Sequence, residues 1–212
     1  MKSFKNLYLL SALASVLMLN NCASVTNLQS AETLPEGEYS HTIAAGYGEV
    51  NLDNDNGVIG SAAAFDYMLR YGLTDQDEIG FRLVNFATYF QGDYKRKLYD
   101  DGAVKLSAGL GLGGTKVTIG VGTSETSLTF VDVFVPVYAD YWFDDLKAIF
   151  ISPKYMLSFS SGGGSSETFH RLGGSVGFRW GKSQGVLTEV GYLKTLSEDN
   201  LDLWQVMVGG FF

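Results

Sequence analysis

Apolar and polar residues alternate along most of the chain between residues 38 and 212. In the stretch AAAFDYMLRYGL, Phe65 and Tyr67 fall on one face of an extended chain, and Asp66 and Arg70 fall on the other. Side chains two residues apart share a face only in a β-strand, so this period predicts strands with two unlike faces. No stretch of this region shows the apolar period of a helix, and the pattern therefore predicts an all-β domain.

Ten segments carry the alternation, and turn-forming clusters separate them. The predicted strands are 38–50, 59–71, 77–84, 89–98, 103–117, 128–142, 147–158, 169–181, 185–196 and 201–212. The connections between them are alternately tight turns and loops that are on average longer. This alternation is typical of an antiparallel up-and-down barrel that is inserted into a membrane from one side. We therefore predict a single transmembrane β-barrel of about ten strands, within a range of eight to twelve, and longer outer loops at 51–57, 118–127 and 158–168.

The polar face contains charges of both signs together with many of the 26 glycines. An enclosed lumen explains this composition, because opposite charges can pair across it and glycines leave room for larger side chains. The predicted interior network is Asp66, Arg70, Glu78, Arg82, Lys105, Asp132, Asp140, Lys154, Arg171, Arg179 and Glu189. The apolar face would then contact lipid. In water, its area would far exceed that of the apolar patches that soluble monomers expose.

Aromatic residues of the apolar face cluster near the strand ends, as in the aromatic girdles of outer-membrane barrels. Those near the tight turns are Tyr71, Phe143 and Trp180, and those near the longer loops are Tyr47, Tyr192 and Trp204.

The N-terminus combines Lys2 and Lys5 with a short apolar run, which is typical of a secretory signal and too short for a spanning helix. LNNC, which ends at Cys22, resembles the lipobox of bacterial lipoproteins, although two asparagines stand where that pattern has small residues. The resemblance implies cleavage of residues 1–21, acylation of Cys22 and the action of lipoprotein-processing enzymes. Residues 22–37 are polar and aperiodic, and we predict a periplasmic tether there.

The C-terminal stretch NLDLWQVMVGGFF ends on Phe212 and keeps alternate apolar residues in phase. It resembles the terminal strand of outer-membrane β-barrel proteins, by which the barrel-assembly machinery recognises them. The stretches YGLTDQDEIGFRL and WGKSQGVLTEVGY also resemble small bacterial outer-membrane barrels. The resemblance implies an outer-membrane location, contact with outer-membrane lipids and both barrel ends on the periplasmic side.

The charge balance argues against nucleic-acid binding. Cleavage before Cys22 leaves 13 basic and 23 acidic residues, a net charge of −10, whereas nucleic acids require basic patches. The single cysteine excludes an intrachain disulfide. We predict no cofactor and no metal site, because two isolated histidines do not make a ligand set and LDNDN lacks the spacing of a calcium loop.

Four functions remain to be weighed. A structural or surface-interaction barrel without a large pore is favoured, because Phe134, Tyr138 and Phe150 would help to fill a ten-stranded lumen. A narrow channel or small-solute or lipid transporter is the first alternative, and a soluble lipoprotein barrel that binds a lipid inside is the second. An enzyme is disfavoured: the only set available for rim chemistry, His170 with Ser166 and Glu167, consists of sequence neighbours without a rigid support.

Overall fold

The computed structural model describes residues 25–52, 58–85, 88–121, 124–162, 165–196 and 201–212, and these form ten strands and one irregular N-terminal segment. The strands are β1 (Tyr39–Leu52), β2 (Val58–Gly72), β3 (Asp77–Val84), β4 (Tyr89–Asp100), β5 (Val104–Val121), β6 (Ser124–Asp144), β7 (Lys147–Gly162), β8 (Ser165–Gly181), β9 (Gly185–Thr195) and β10 (Leu201–Phe211). The described residues contain no helix that is long and apolar enough to cross a membrane.

Each strand pairs antiparallel with its neighbours in sequence, and β1 closes the barrel against β10. The closing seam runs from Thr42 opposite Phe211 to Leu52 opposite Leu201. Closure gives every strand two partners and removes the unpaired sheet edges that hydrocarbon does not tolerate. The predicted fold class and strand number are confirmed.

Two predicted outer loops need correction. The region 118–127 is paired strand as far as Val121 opposite Ser124, and the region 158–168 is paired as far as Gly162 opposite Ser165. These strands extend as ribbons because Ser and Thr backbones pair as readily as apolar ones, and threonine favours extended structure. Polarity marked the end of the apolar face, and not the end of the strand. The prediction for 51–57 falls mostly on residues 53–57, which lie outside the described part of the chain.

The orientation of the two faces makes this a transmembrane barrel. The apolar residues Leu110 and Phe178 are 54% and 40% exposed on the exterior, whereas Glu189 on the opposite face is 1% exposed. The exterior also presents valine, isoleucine, leucine and aromatic side chains on all ten strands. A soluble barrel with a lipid inside would need the reverse arrangement, so that alternative is wrong.

The N-terminal segment, defined here as Val25–Leu34, contradicts the prediction of a periplasmic tether. Residues 25–31 are all buried, and Ala31 has no exposed surface. The segment runs inside the barrel and bonds to strands on opposite sides of the wall, from Arg82 on β3 to Lys154 on β7. Its polar composition suits a charged lumen as well as water, which is why composition alone misplaced it.

Candidate functional site: the occupied lumen

A tight turn carries the N-terminal segment into the lumen. The backbone N–H of Glu38 donates to the carbonyl of Pro35 at 3.1 Å, and Gly37 has a φ of +80°, which glycine adopts without steric cost. The N–H of Gly37 also donates to the carbonyl of Gly72, the last residue of β2. A side chain at Gly72 would overlap the carbonyl of Pro35, so two glycines allow the chain to reverse from the lumen into β1.

The segment runs from the tight-turn end of the barrel towards the loop end. Thr33 donates to the carbonyl of Asp75 in the β2–β3 turn at 3.1 Å. At the other end, Val25 packs in an apolar cluster with Val50, Val84 and Leu203, which lie near the loop ends of β1, β3 and β10. Since it is buried along this path, the segment occupies the space that an aqueous pore would need.

Wall side chains accept hydrogen bonds from the backbone of the segment. The two carboxylate oxygens of Glu189 accept from the N–H groups of Asn27 and Leu28 at 2.8 and 2.5 Å. Asp140 accepts from Ala31 N–H at 2.7 Å. Two further acceptors serve the two ends of the segment: Gln205 for the N–H groups of Val25 and Thr26, and Glu78 for that of Leu34.

Wall cations and a hydroxyl donate to the carbonyls of the segment. Lys95 Nζ donates to the carbonyls of Ser30 and Glu32 at 2.8 and 2.7 Å. The remaining donors are Arg82 to the carbonyl of Thr26, Lys154 to that of Val25 and Ser107 to that of Ala31. Wall side chains thus supply the bonds that a neighbouring strand supplies in a sheet, and they satisfy backbone groups that would be costly to bury alone.

Two apolar side chains of the segment join the two apolar clusters of the lumen. Val25 lies in the loop-end cluster with Tyr89, Phe134, Met156 and Leu193. Leu28 lies in a second cluster, nearer the tight turns, whose wall members are Ala44, Ala64, Met68, Leu187, Met207 and Phe211. Each apolar cluster of the lumen therefore contains one side chain of the segment.

Buried ion pairs connect the strands of the wall. Arg70 lies 2.6 Å from Glu78 and 2.9 Å from Asp93, and Lys95 lies 2.7 Å from Glu78. A second pair joins Arg82 to Asp66, with both side chains at most 1% exposed. Buried charges require such partners, because an unpaired ion in this environment costs several kcal/mol.

At the end of the barrel where the tight turns lie, one acidic residue of the segment pairs with two cations of the wall. Glu32 lies 2.9 Å from Lys105 Nζ and 3.4 Å from Arg179 Nη1. Lys105 Nζ lies 4.8 Å from the ring centre of Trp142, and the Arg179 guanidinium lies 4.3 Å from that of Phe211. The segment therefore supplies charge as well as volume to the lumen.

The structure places the eleven residues of the predicted interior network on the inner face. Eight are buried: Asp66, Arg70, Glu78, Arg82, Asp132, Asp140, Lys154 and Glu189. Lys105, Arg171 and Arg179 are half-buried. Asp132 accepts from the hydroxyl of Tyr89 at 2.7 Å, and Arg171 donates to Ser158 at 2.9 Å, so both lie near the loop end, apart from the ion pairs of Arg70.

Asp93, Lys95 and Gln205 were not predicted to face the lumen, and Ser107 was placed on the polar face but not in the predicted network; all four face the lumen and are buried. Gln91, Asp93 and Lys95 stand at every second position of YFQGDYKRKLYD. This period of two indicated that their side chains share one face of the strand. The aromatic residues and extra basic residues between them obscured it. Nothing local at Gln205 distinguished it from other polar residues in strands.

The two histidines lie outside the lumen. His41 Nδ1 is 2.8 Å from the Tyr67 hydroxyl, and its ring stacks on Phe212. His170 Nδ1 is 2.6 Å from the Tyr155 hydroxyl on the exterior. Neither Ser166 nor Glu167 contacts His170 among the interactions of the described residues, and the same residues contain no cluster of His, Cys, Asp and Glu suited to a metal ion.

The aromatic residues predicted to form two girdles lie on the exterior. Phe143 and Trp180, near the tight turns, are 60% and 58% exposed. Near the loop end, the Trp204 indole donates to Glu49 at 3.0 Å and the Tyr192 hydroxyl donates to Asp202 at 2.6 Å. An apolar ring with a polar partner at its tip suits a membrane–water boundary.

Comparison with solved structures finds β-barrels of the outer membrane at low sequence identity. Neisserial surface protein A is 11% identical, with a TM-score of 0.43 over 82% of this chain and 95% of that one. The translocator domain of the autotransporter NalP from Neisseria meningitidis is 8% identical, with a TM-score of 0.48 over 100% and 96%. The outer membrane protease OmpT from Escherichia coli is 11% identical, with a TM-score of 0.47 over 86% and 99%. No protein-family model and no curated protein matches the sequence, and the similarity to these structures concerns the fold alone.

Proposed function

We propose that this chain is an integral outer-membrane β-barrel with a structural or surface-interaction role, whose lumen is closed by its own N-terminal segment. The single observation that carries the proposal is the burial of residues 25–31 among charged wall side chains. Among the described residues, a lumen filled in this way leaves no continuous aqueous path wide enough for a large solute.

The exterior supports the location in a membrane. A closed barrel with apolar side chains outside and ion pairs inside meets the two requirements of hydrocarbon, which are an apolar surface and satisfied backbone groups. The secretory-type pattern of residues 1–21 and the resemblance of β10 to strands of outer-membrane barrels support the outer membrane in particular. Tyr39, where β1 begins, and Phe212 lie at one end of the barrel, where the tight turns also lie, so we place that end in the periplasm.

Planar-bilayer recording of the full chain tests the closed lumen. We expect no conductance steps of porin size, and steady steps of that size would refute the proposal. The variant Gly191→Leu provides a contrast, because even a Cβ at Gly191 would lie 2.9 Å from Val25 Cγ1 and 3.3 Å from the N–H nitrogen of Thr26. A larger side chain should push out the end of the segment and raise the conductance.

Gly92→Leu is the matched control for this recording. Gly92 is exposed on the exterior, and a Cβ there has no heavy atom nearer than 3.9 Å. This variant should remain as silent as the unaltered chain. Equal conductance of the two variants would show that the segment does not close the lumen.

We also propose that the chain is lipidated, although Cys22 lies outside the described residues. Cys22 lies three positions before Val25, and three residue steps reach at most about 11 Å. Because Val25 lies towards the loop end, an acyl chain on Cys22 could reach the inner leaflet only when the segment is outside the lumen. Mass spectrometry of the mature chain tests whether Cys22 is acylated. Acylation should increase the mass, and the change Cys22→Ser should abolish the increase. An unmodified mass would exclude the lipid anchor.

We propose no enzymatic activity, since His170 is paired with a tyrosine on the exterior and not with an acid. Assays of lipid A deacylation and peptide cleavage should give no activity above background. Activity that His170→Ala abolishes would overturn this part of the proposal.

A further inference from the structure

We propose that the lumen is a binding site for an extended polypeptide, and that the N-terminal segment is one occupant which a segment of a different protein can replace. This inference rests on the proposed function, since it requires that the segment, and not the wall alone, closes the lumen. The proposed ligand is a polypeptide with an apolar residue, two polar residues, a small residue and an acidic residue in succession.

The first support is that most wall groups address the backbone. Glu189, Asp140 and Gln205 accept from N–H groups, while Lys95 and Lys154 donate to carbonyls. Backbone groups are common to all polypeptides, so this set of bonds selects an extended chain without selecting its sequence. The same principle holds where a peptide adds a strand to a sheet edge.

The second support is a short pattern of side-chain contacts that adds selectivity. Leu28 fits the apolar cluster of the lumen, Ala31 is fully buried beside Ser107, and Glu32 pairs with two cations. Because Ala31 is fully buried, a larger side chain at position 31 would have to displace its neighbours. Between Leu28 and Ala31, Gln29 and Ser30 are buried and contact Met68 and Arg179 of the wall. These contacts define the pattern apolar-polar-polar-small-acidic, which in this chain is LQSAE.

The third support is that central parts of the wall are neutralised without the segment. Arg70 pairs with Glu78 and Asp93, and Arg82 pairs with Asp66, and none of these pairs uses the segment. Glu189, Asp140 and Lys154 do bond to the segment backbone, so a replacement must supply the same backbone groups. Closure of the barrel also depends only on strand pairing. The segment contains no strand or helix of its own, and it is joined to β1 through the exposed residues 35–38.

A second copy of this chain is a poor donor for the lumen within one membrane. The turn 35–38 contains four residues and reaches at most about 14 Å. Neighbouring barrel axes are separated by at least one barrel diameter, about 20 Å for ten tilted strands that lie about 4.8 Å apart. The partner is therefore a polypeptide that enters from the aqueous phase, and we assign it to a different protein.

Peptide exchange tests the inference on the full, folded chain. A protease site inserted between Glu36 and Gly37, both exposed, allows the segment to be cut from the barrel after folding in detergent. A fluorescent peptide with the sequence of residues 23–36 should then exchange into the lumen, and anisotropy should rise. The uncut sample of the same variant is the control and should bind at least tenfold less peptide.

Two altered peptides test the pattern. A peptide that keeps the residues corresponding to 25–32, whose side chains contact the wall, but changes the others should compete within about threefold of the original. A peptide with the changes Ala31→Trp and Glu32→Lys should compete at least tenfold more weakly. Equal competition by both peptides would show that the binding is non-specific and would overturn the inference.

Two further outcomes would also overturn it. If the cut segment never exchanges, the lumen is not accessible to a partner, although the barrel can remain non-conducting. If the barrel loses its heat-resistant migration in gel electrophoresis when the segment leaves, the segment is a structural part and not a ligand. If the inserted protease site prevents folding, the variant Glu32→Gln in the otherwise unaltered chain serves as the test instead. This change weakens the bonds of the native segment, so binding of the labelled peptide should rise at least threefold. No increase in binding would contradict the inference.

Discussion

Glu32 Oε1 accepts a hydrogen bond from Lys105 Nζ at 2.9 Å and thereby joins the N-terminal segment to β5. The same carboxylate lies 3.4 Å from Arg179 on β8, across the mouth of the barrel. One acidic side chain from outside the sheet therefore bridges two strands that do not pair with each other. The first prediction concerns this bridge.

Replacement of Glu32 by Gln should lower the free energy of unfolding by about 1–2 kcal/mol, because two half-buried cations lose their acid at a mouth that water still reaches. Urea unfolding in detergent micelles measures the change. Asp144→Asn is the control, since Asp144 and Lys147 are both 49% exposed in their pair, and its effect should be clearly the smaller of the two. Equal effects of the two changes would contradict a specific role for Glu32.

Asp66→Asn should cost more, about 3–5 kcal/mol, because it removes the carboxylate that forms a salt bridge with the fully buried Arg82. The same unfolding assay reports the loss. An exposed pair provides the comparison: Arg96 is 55% exposed beside Asp77, and Arg96→Met should change the stability by at most about 1 kcal/mol. A loss below about 1 kcal/mol for Asp66→Asn would mean that Arg82 finds other partners.

Gly111→Ala should destabilise the barrel by about 1–3 kcal/mol, since the added methyl group would overlap the ring of Phe134 in the lumen. Phe134 is 2% exposed and has little room to move. Gly92→Ala is the matched control on the exterior, where the nearest heavy atom is 3.9 Å away, and it should be nearly neutral. If both alanines behave alike, crowding in the lumen is not what selects glycine at position 111.

Leu110→Arg should reduce stability in lipid by about 2–4 kcal/mol, because the side chain is 54% exposed on the exterior of β5 and would carry its charge into hydrocarbon. Leu146 is the matched control: it is 49% exposed but lies in the turn between β6 and β7. Leu146→Arg should change the stability by less than about 1 kcal/mol. Folding in vesicles of defined lipid, followed by urea titration, measures both, and equal costs would argue against a membrane at Leu110.

A small pH effect should come from the β4–β5 turn. The N–H of Val104 and the hydroxyl of Tyr99 both bond to the Asp101 carboxylate, and they hold its pKa below the ordinary value. A depressed pKa in the folded state means that the stabilisation is present above the unfolded pKa and is lost as the pH falls through the folded one. Asp101→Asn should therefore weaken the barrel at neutral pH and converge with the unaltered chain in acid; a constant difference at all pH values would contradict this.

The alternation of residues determined the strands, their number and the direction in which each face points. In β7, for example, Phe150, Ser152 and Lys154 are buried while Ile149 and Ile151 are exposed, as a period of two requires. Such information is local, because the pleat of a strand places its side chains without reference to any other part of the chain. For the same reason, the charged residues of the inner face could be named before their partners were known.

Only the tertiary structure decided what fills the lumen. Nothing between Val25 and Leu34 alternates, and its polar residues suit water or a charged interior equally well. The position of the segment depends on contacts with β3, β4, β5, β6, β7, β9 and β10, which are brought together only when the barrel closes. The pairing of Arg70 with Asp93 and of Glu32 with Lys105 has the same origin, since ion pairs depend on distances across the enclosed space and not on the order of residues in the chain.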